Sequence, residues 1–158
     1  MIRPVTPSDA LAISEIYNYY ILNTLITFEM EVVTPEEITA RIEKYQKIGP
    51  YLVYEENSEV IGYAYLSNFR ERKAYENTVE STIYLKNGLG GKGIGFQLYA
   101  ELLSEAALKH HTVIAGISLP NEASVRLHEK CGFRKVGHFS EVGRKFGKWI
   151  DVGFWQRS

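Results

Sequence analysis

A single cysteine, Cys131, stands in the whole chain, so no internal disulfide can form and a reducing, cytoplasmic setting is expected. It lies in Lys130-Cys131-Gly132-Phe133, where a helix is expected to end, with no cationic cluster adjoining it. It therefore reads as a buried, inert thiol rather than a nucleophile. Neither sign of charge dominates: 18 Lys and Arg against 19 Asp and Glu give a formal net charge of -1. That balance argues against a nucleic-acid partner and against an acidic solvating tail. No apolar run is long enough to span a bilayer, and the opening MIRPVTPSD lacks a signal-peptide core, so no membrane partner is expected. Repeats, low-complexity tracts and linkers are also missing. Tyrosine, by contrast, is plentiful at 11 residues, and suits either a core or an amphipathic pocket. The 158 residues suffice for one domain with a substantial core, and the expected domain is 1–158.

The order of elements follows from periodicity and punctuation. Residues 2–5 form a short strand, and Thr6-Pro7-Ser8-Asp9 is a helix start with Pro at the first helical position. Ala10, Ile13, Ile16, Tyr17 and Tyr20 recur at helical spacing. Thr34-Pro35-Glu36-Glu37 is a capping box opening a second helix, which Gly49-Pro50 stops. Residues 23–33 lack periodicity and read as a loop. Runs 51–55 and 60–66 flank Glu56-Asn57-Ser58-Glu59 as a hairpin. Residues 69–77 form a polar, aromatic loop before a strand over 78–85. A helix over 96–109 and a strand over 113–117 come next, then a short helix over 121–131 closed by Gly132. Strands near 135–139 and 149–156 finish the chain. The order β-α-α-β-β-β-α-β-α-β-β predicts a mixed-sheet α/β domain.

Residues 79–97, VESTIYLKNGLGGKGIGFQ, carry the most chemistry. A strand that passes through glycines into a helix N-terminus is an anion site, because the first-turn N–H groups converge there and the helix dipole favours negative charge. Three phosphate signatures compete for it. A Walker loop requires Lys-Ser/Thr where Ile94-Gly95 stand, and fails. The dinucleotide fingerprint is present as Gly88-x-Gly90-x-x-Gly93. However, it follows a meander past the chain midpoint, and strand 113–117 ends in Ser118-Leu119 with no carboxylate for a ribose. The third is a pyrophosphate loop of the form (Gln/Arg)-x-x-Gly-x-(Gly/Ala), here Gly90-Gly91-Lys92-Gly93-Ile94-Gly95.

That loop resembles the acetyl-CoA site of the GNAT superfamily of N-acetyltransferases. Asn121-x-x-Ser124-x-x-Leu127-His128 with Gly132-Phe133 is similar to the same superfamily's second cofactor element. Further segments resemble its phosphinothricin and methionine sulfoximine acetyltransferase branch. Among them are Thr27-Phe28-Glu29, Phe69-Arg70-x-Arg72-x-Ala74-Tyr75, Thr78-Val79-Glu80, Val142-Gly143-Arg144-Lys145-Phe146-Gly147 and Trp149-x-Asp151. The resemblance implies a single-domain GNAT-like fold: a mixed, mostly antiparallel twisted sheet flanked by helices and splayed between strands four and five. It also implies transfer of acetyl from acetyl-CoA to the α-amine of a small anionic amino acid or analogue, with no metal and in a homodimer.

Roles carried over by the resemblance fall on particular positions. N–H groups from Gly91, Lys92, Gly93, Ile94, Gly95 and Phe96 would hold the CoA pyrophosphate, with Lys92 adding charge. Ile83, Tyr84 and Leu85 would pair with the pantetheine amides, and Asn121 would hydrogen-bond that arm or cap its helix. Glu80 is the candidate general base, since an ammonium must lose a proton before it attacks a thioester. The alternative for Glu80 is a solvated strand glutamate. His128 stands where many relatives carry a Tyr that protonates the departing thiolate; a structural histidine is the other reading. Arg70 and Arg72 suit a carboxylate or phosphinate, and Phe28, Glu29, Tyr75, Lys145 and Phe146 are further substrate-side candidates. Of these, Arg72 and Tyr75 rank first, and Lys145-Phe146 would reach a partner subunit's site. Trp149 is expected in the core. The chain departs from the pattern at Gly90, where the family has Arg or Gln. Rival readings keep the chemistry with a peptide N-terminus, polyamine or aminoglycoside as acceptor, or drop it for a non-catalytic acyl-CoA-binding module.

Overall fold

The computed structural model describes all 158 residues. The strands are β1 (Ile2–Pro4), β2 (Tyr51–Glu56), β3 (Glu59–Asn68), β4 (Thr78–Leu85), β5 (Thr112–Leu119), β6 (Arg134–Lys145) and β7 (Lys148–Arg157). The helices are α1 (Ala10–Asn23), α2 (Pro35–Gln46), α3 (Ile94–Ala106) and α4 (Glu122–Lys130). The element order is the one expected. Local chemistry sets the helix starts. Thr34 Oγ1 accepts the Glu37 N–H at 3.1 Å with Pro35 at the first helical position, which is the forward half of the expected capping box. Before α1 a short 3-10 turn, Pro7–Asp9, is held by Thr6 N donating to Asp9 Oδ2 at 2.8 Å. Gly132, at φ +91°, ends α4 where a left-handed residue is needed.

The seven strands form one sheet in the order β1-β2-β3-β4-β5-β7-β6. All neighbours are antiparallel except β4 and β5. Alternation along the strands feeds two cores. Leu52, Ala64, Leu66 and Val79 face Leu98, Tyr99 and Leu102 of α3, whereas Tyr51, Val53 and Tyr63 face Ile13 and Ile16 of α1 and Ile42 of α2. Full burial of a leucine such as Leu98 or Leu102 is worth about 2 kcal/mol. The tyrosines concentrate in the second core, where the Tyr45, Tyr51, Tyr63 and Tyr65 rings stack at centroid distances of 4.5 to 6.3 Å.

The site depends on what happens between β4 and β5. They pair only over Thr78–Glu80 against Thr112–Ile114, and then part. Beyond that point β5 pairs with β7 and β4 with β3, so each keeps one side open to the gap. Lys86 N donates back to Ile61 O of β3, so by strand alternation Ile83 and Leu85 present their backbone groups to the gap. Tyr20 of α1 donates its hydroxyl to Leu85 O there.

Two expectations are corrected on the β6–β7 ribbon. Trp149 is not in the core: it is 60% exposed, with Arg144 stacked 4.5 Å over its ring. Lys145 does not extend outward toward another subunit: it is 1% exposed and donates from Nζ to Thr27 O at 2.9 Å. Both follow from the phase of the hairpin. Lys145 pairs with Lys148 across a two-residue turn in which Phe146 (φ +52°) and Gly147 (φ +71°) are both left-handed. Such a turn sends Lys145 inward and Trp149, one position further along β7, outward.

Candidate active site

Glu80 occupies the last paired position of β4 before the strands part, and its side chain enters the gap. A cavity of 110 Å³ opens there, walled by Glu80, Thr82, Tyr84, Gly116, Ser118, Asn121 and His128 among others. Gly116 keeps it open, since a Cβ at that position would lie 3.8 Å from Glu80 Oε1 and 3.3 Å from the Phe154 ring. Burial raises the Glu80 carboxyl above its ordinary value, and the nearby Arg70 charge opposes that rise. A half-buried carboxylate poised in this way is suited to accept a proton.

His128 borders the same cavity and is buried, 4% exposed. Its ring stands edge-on to Tyr99 and Phe133, with centroids 5.0 and 5.1 Å away. Tyr99 is itself fixed to β4 by a hydroxyl contact with Ser81. His128 Nδ1 lies 2.7 Å from Ser124 O, and a carbonyl only accepts, so Nδ1 carries the hydrogen and Nε2 of the neutral ring carries a lone pair. Burial lowers the His128 pKa, which keeps the ring neutral. Donating a proton from Nε2 requires the charged ring that burial disfavours. The geometry therefore suits His128 as a wall and hydrogen-bond acceptor, not as the acid that the resemblance implied.

The cavity continues into a groove of 580 Å³, the two sharing Ile26, Ile83, Tyr84, Asn121 and Ser124. Asn121 divides its amide: Oδ1 caps α4 by accepting Ser124 N at 3.2 Å, which leaves Nδ2 for the groove. Both readings of Asn121 are thus compatible. Burial pushes the Tyr84 hydroxyl up to about 12, so it remains a neutral phenol. The groove then reaches the N-terminus of α3. Gly93 caps that helix at φ +79° and offers no side-chain bond, so the first-turn N–H groups stay open to an anion. Gly90, Gly91 and Gly93 would each place a Cβ in open space, so the loop leaves the groove unobstructed. These features fit the pantetheine and pyrophosphate of acetyl-CoA. Helix α3 starts at Ile94, two residues before the expected boundary, so Gly95 belongs to its first turn.

Not every expected residue comes to the site. The Lys92 side chain lines a different hollow, beside Tyr54, Glu56 and Asn57 of the β2–β3 hairpin. Glu29 is engaged elsewhere: Arg41 grips it with two bonds at 2.7 and 2.8 Å, and the Tyr17 hydroxyl donates to it as well. Its role is to hold the 24–33 loop, a correction to its substrate-side assignment. Phe28 lies over Gly143 of β6, where a Cβ would come within 2.4 Å of its ring. Gly143→Ala is therefore expected to destabilise the fold by about 1–3 kcal/mol through overpacking, which a denaturant titration would register. Arg70 stacks 4.9 Å over Phe69, and Phe69 meets Tyr75 edge-on at 5.8 Å, outside the cavity wall. Arg70, rather than Arg72, is the guanidinium whose charge acts on Glu80. Phe146 is exposed at the hairpin turn. Cys131 is buried with its thiol pKa raised by burial, as expected of an inert thiol. Sequence reasoning passed over Ile26, Ser118, Arg126 and Lys130, which line the cavity or the groove. The four-residue spacing of the two cations on α4 was the available signal.

Comparison with known proteins agrees with this geometry. The profile of the acetyltransferase (GNAT) domain matches residues 2–153. A phosphinothricin N-acetyltransferase of Streptomyces coelicolor is 43% identical, over 99% of this chain and 94% of its own length. An L-methionine sulfoximine/L-methionine sulfone acetyltransferase of Salmonella typhimurium is 38% identical, over 98% of this chain and 92% of its own. A phosphinothricin acetyltransferase of Sinorhizobium meliloti, solved in complex with acetyl-CoA, superposes with a TM-score of 0.95 at 38% identity, covering 99% of this chain and 86% of that one. With its split β4–β5 pair and its uncapped glycine-led helix, this chain belongs to the GNAT family of acetyl-CoA-dependent N-acetyltransferases.

Proposed function

We propose that the protein transfers acetyl from acetyl-CoA to the α-amine of a small anionic amino acid of the phosphinothricin, methionine sulfoximine or methionine sulfone type. The observation that carries this reading is the half-buried Glu80, without a salt-bridge partner, at the point where β4 and β5 part, with the Arg70 charge beside it. Acetyl-CoA supplies an activated acyl thioester. The backbone groups of Ile83 and Leu85 that face the gap orient the pantetheine arm, as a sheet edge orients a strand. Tyr84 and Ile26 border both cavity and groove and limit water at their junction. Glu80 takes the proton of the incoming ammonium, directly or through a water, which frees the nitrogen lone pair for attack. Arg70 attracts the acceptor's anionic group and favours the ionised form of Glu80.

The names of the two relatives support this acceptor class, and Arg70 favours it over a polyamine or aminoglycoside, which would call for a ring of carboxylates. A binding module without catalysis would have no use for the Glu80 carboxylate at the cost of burying it. The homodimer belongs to the same proposal, supported by the exposed Val136, Phe139, Val142 and Trp149 of β6 and β7. A cytoplasmic setting is proposed from the lone buried cysteine; no helix is long and apolar enough to cross a membrane.

The test is free-thiol release from acetyl-CoA with phosphinothricin, methionine sulfoximine and methionine sulfone. No release with any of the three, in protein that binds CoA, would overturn the proposal. In the same assay Arg70→Met should raise the acceptor KM about 10- to 100-fold, by loss of a charge-assisted contact, and leave the acetyl-CoA KM unchanged. Arg72→Met should have the smaller effect.

A further inference from the structure

The loop that leads into α3 brings no uncommitted cation to its own groove. Gly90 has no side chain, Lys92 turns toward the β2–β3 hairpin, and Lys86, which does line the groove, is paired with Glu59. The free positive charge comes from α4. Arg126 and Lys130 both line the groove and stand one turn apart on the helix, hence on one face. Neither is committed to a carboxylate. Arg126 approaches Glu122 only at 3.8 Å with both side chains largely exposed, and Lys130 has no carboxylate partner. Instead Lys130 Nζ sits 4.4 Å from the centroid of the Phe96 ring, on the first turn of α3. Lys130 and Phe96 also border a second hollow of 390 Å³, so the groove runs on past the α3 N-terminus and does not end there.

Chemistry assigns an occupant to that far end. Starting from the cavity at Glu80, the groove passes the pantetheine-facing edge of β4 and then the open N–H groups of α3, which accommodate a pyrophosphate. Coenzyme A carries one further phosphate, the monoester on the ribose 3′-oxygen, with a charge close to −2 near neutral pH. Two free cations at the exit of the groove match it. We propose that Arg126 and Lys130 bind the 3′-phosphomonoester of the coenzyme, and that in this chain they supply the charged contact that Gly90 lacks. This inference rests on the acetyl-CoA reading above and adds which residues discriminate between forms of the coenzyme.

Titration calorimetry with CoA and with 3′-dephospho-CoA tests it without recourse to turnover. The unaltered protein is expected to bind CoA about tenfold or more tightly than 3′-dephospho-CoA, a preference that shrinks as salt is added. In the Arg126→Ala/Lys130→Met double variant the CoA affinity should fall to the dephospho-CoA level, while dephospho-CoA binding stays unchanged. Both positions lie on the outer face of α4, so the variant should melt at the parent temperature. Equal affinity of the unaltered protein for the two ligands would overturn the assignment, as would a preference that survives in the double variant. Binding of neither ligand would overturn the acetyl-CoA reading, and this assignment with it. Binding of both without discrimination leaves that reading standing and removes only the α4 site.

Discussion

Glu80→Gln should lower kcat for acetyl transfer by about 10²- to 10⁴-fold while raising the melting temperature at neutral pH. The two effects share one cause. The site holds a carboxylate where burial raises its pKa, so the ionised form opposes folding. A raised folded-state pKa means that the native protein binds the proton more tightly than the unfolded chain does. Stability is then lost as pH rises from the unfolded value of 4.5 through the folded pKa, and the deficit persists above it. Glutamine keeps the shape and removes the charge. The melting-temperature gain should thus be full above the folded pKa and fade as pH falls toward 4.5. Melting curves across pH 4–8, set beside the turnover numbers, check both halves. A variant that lost activity without gaining stability would mean that Glu80 is solvated, not strained by burial.

The second large effect is expected at Gly93. Its φ of +79° is left-handed, and a Cβ there would meet nothing within 4 Å. A valine therefore clashes with no protein atom and acts through the backbone. β-Branched residues resist that conformation, at a cost of about 1–3 kcal/mol. Relieving the strain turns the first N–H groups of α3 away from the groove. Gly93→Val should weaken acetyl-CoA binding by about 5- to 150-fold if that cost falls on the complex, with Leu98, Tyr99 and Leu102 still packed and the fold retained. Equilibrium binding together with far-ultraviolet circular dichroism separates the two. Gly90→Ala serves as the contrast, because Gly90 has no positive φ and open space around it, so its coenzyme affinity should barely change.

Much of this was legible in the chain because it is local. Strand, glycines and helix are consecutive, so backbone needs at Gly91 and Gly93 appear directly as glycine, and the element order follows from caps and periodicity. Two kinds of feature were not legible. The first is strand phase where the pattern is weak. Arg144-Lys145-Phe146-Gly147-Lys148-Trp149 has no apolar alternation, and a shift of one residue reverses which side chains are buried. Lys145 therefore went unrecognised as an interior tether to Thr27, and Trp149 as a surface residue. The second is competition for partners. Glu29 looked free until Arg41 and Tyr17, each twelve residues away, converged on it. In the same way the role of His128 turns on one hydrogen bond to Ser124 O, which fixes the tautomer. Residue type marked these positions, and only geometry shows which of their atoms remain available.

The central claim is that a small amino acid with an anionic tail is acetylated at its α-nitrogen beside Glu80. The most direct measurement is a competition: acetyl-CoA and the protein are mixed with equimolar methionine sulfoximine, phosphinothricin, spermidine and a short peptide, and the products are resolved by mass spectrometry. Acetyl is expected to accumulate on the α-nitrogen of methionine sulfoximine or phosphinothricin, and Glu80→Gln to suppress it. Acetyl found predominantly on spermidine or the peptide, or undiminished product with Glu80→Gln, would contradict it.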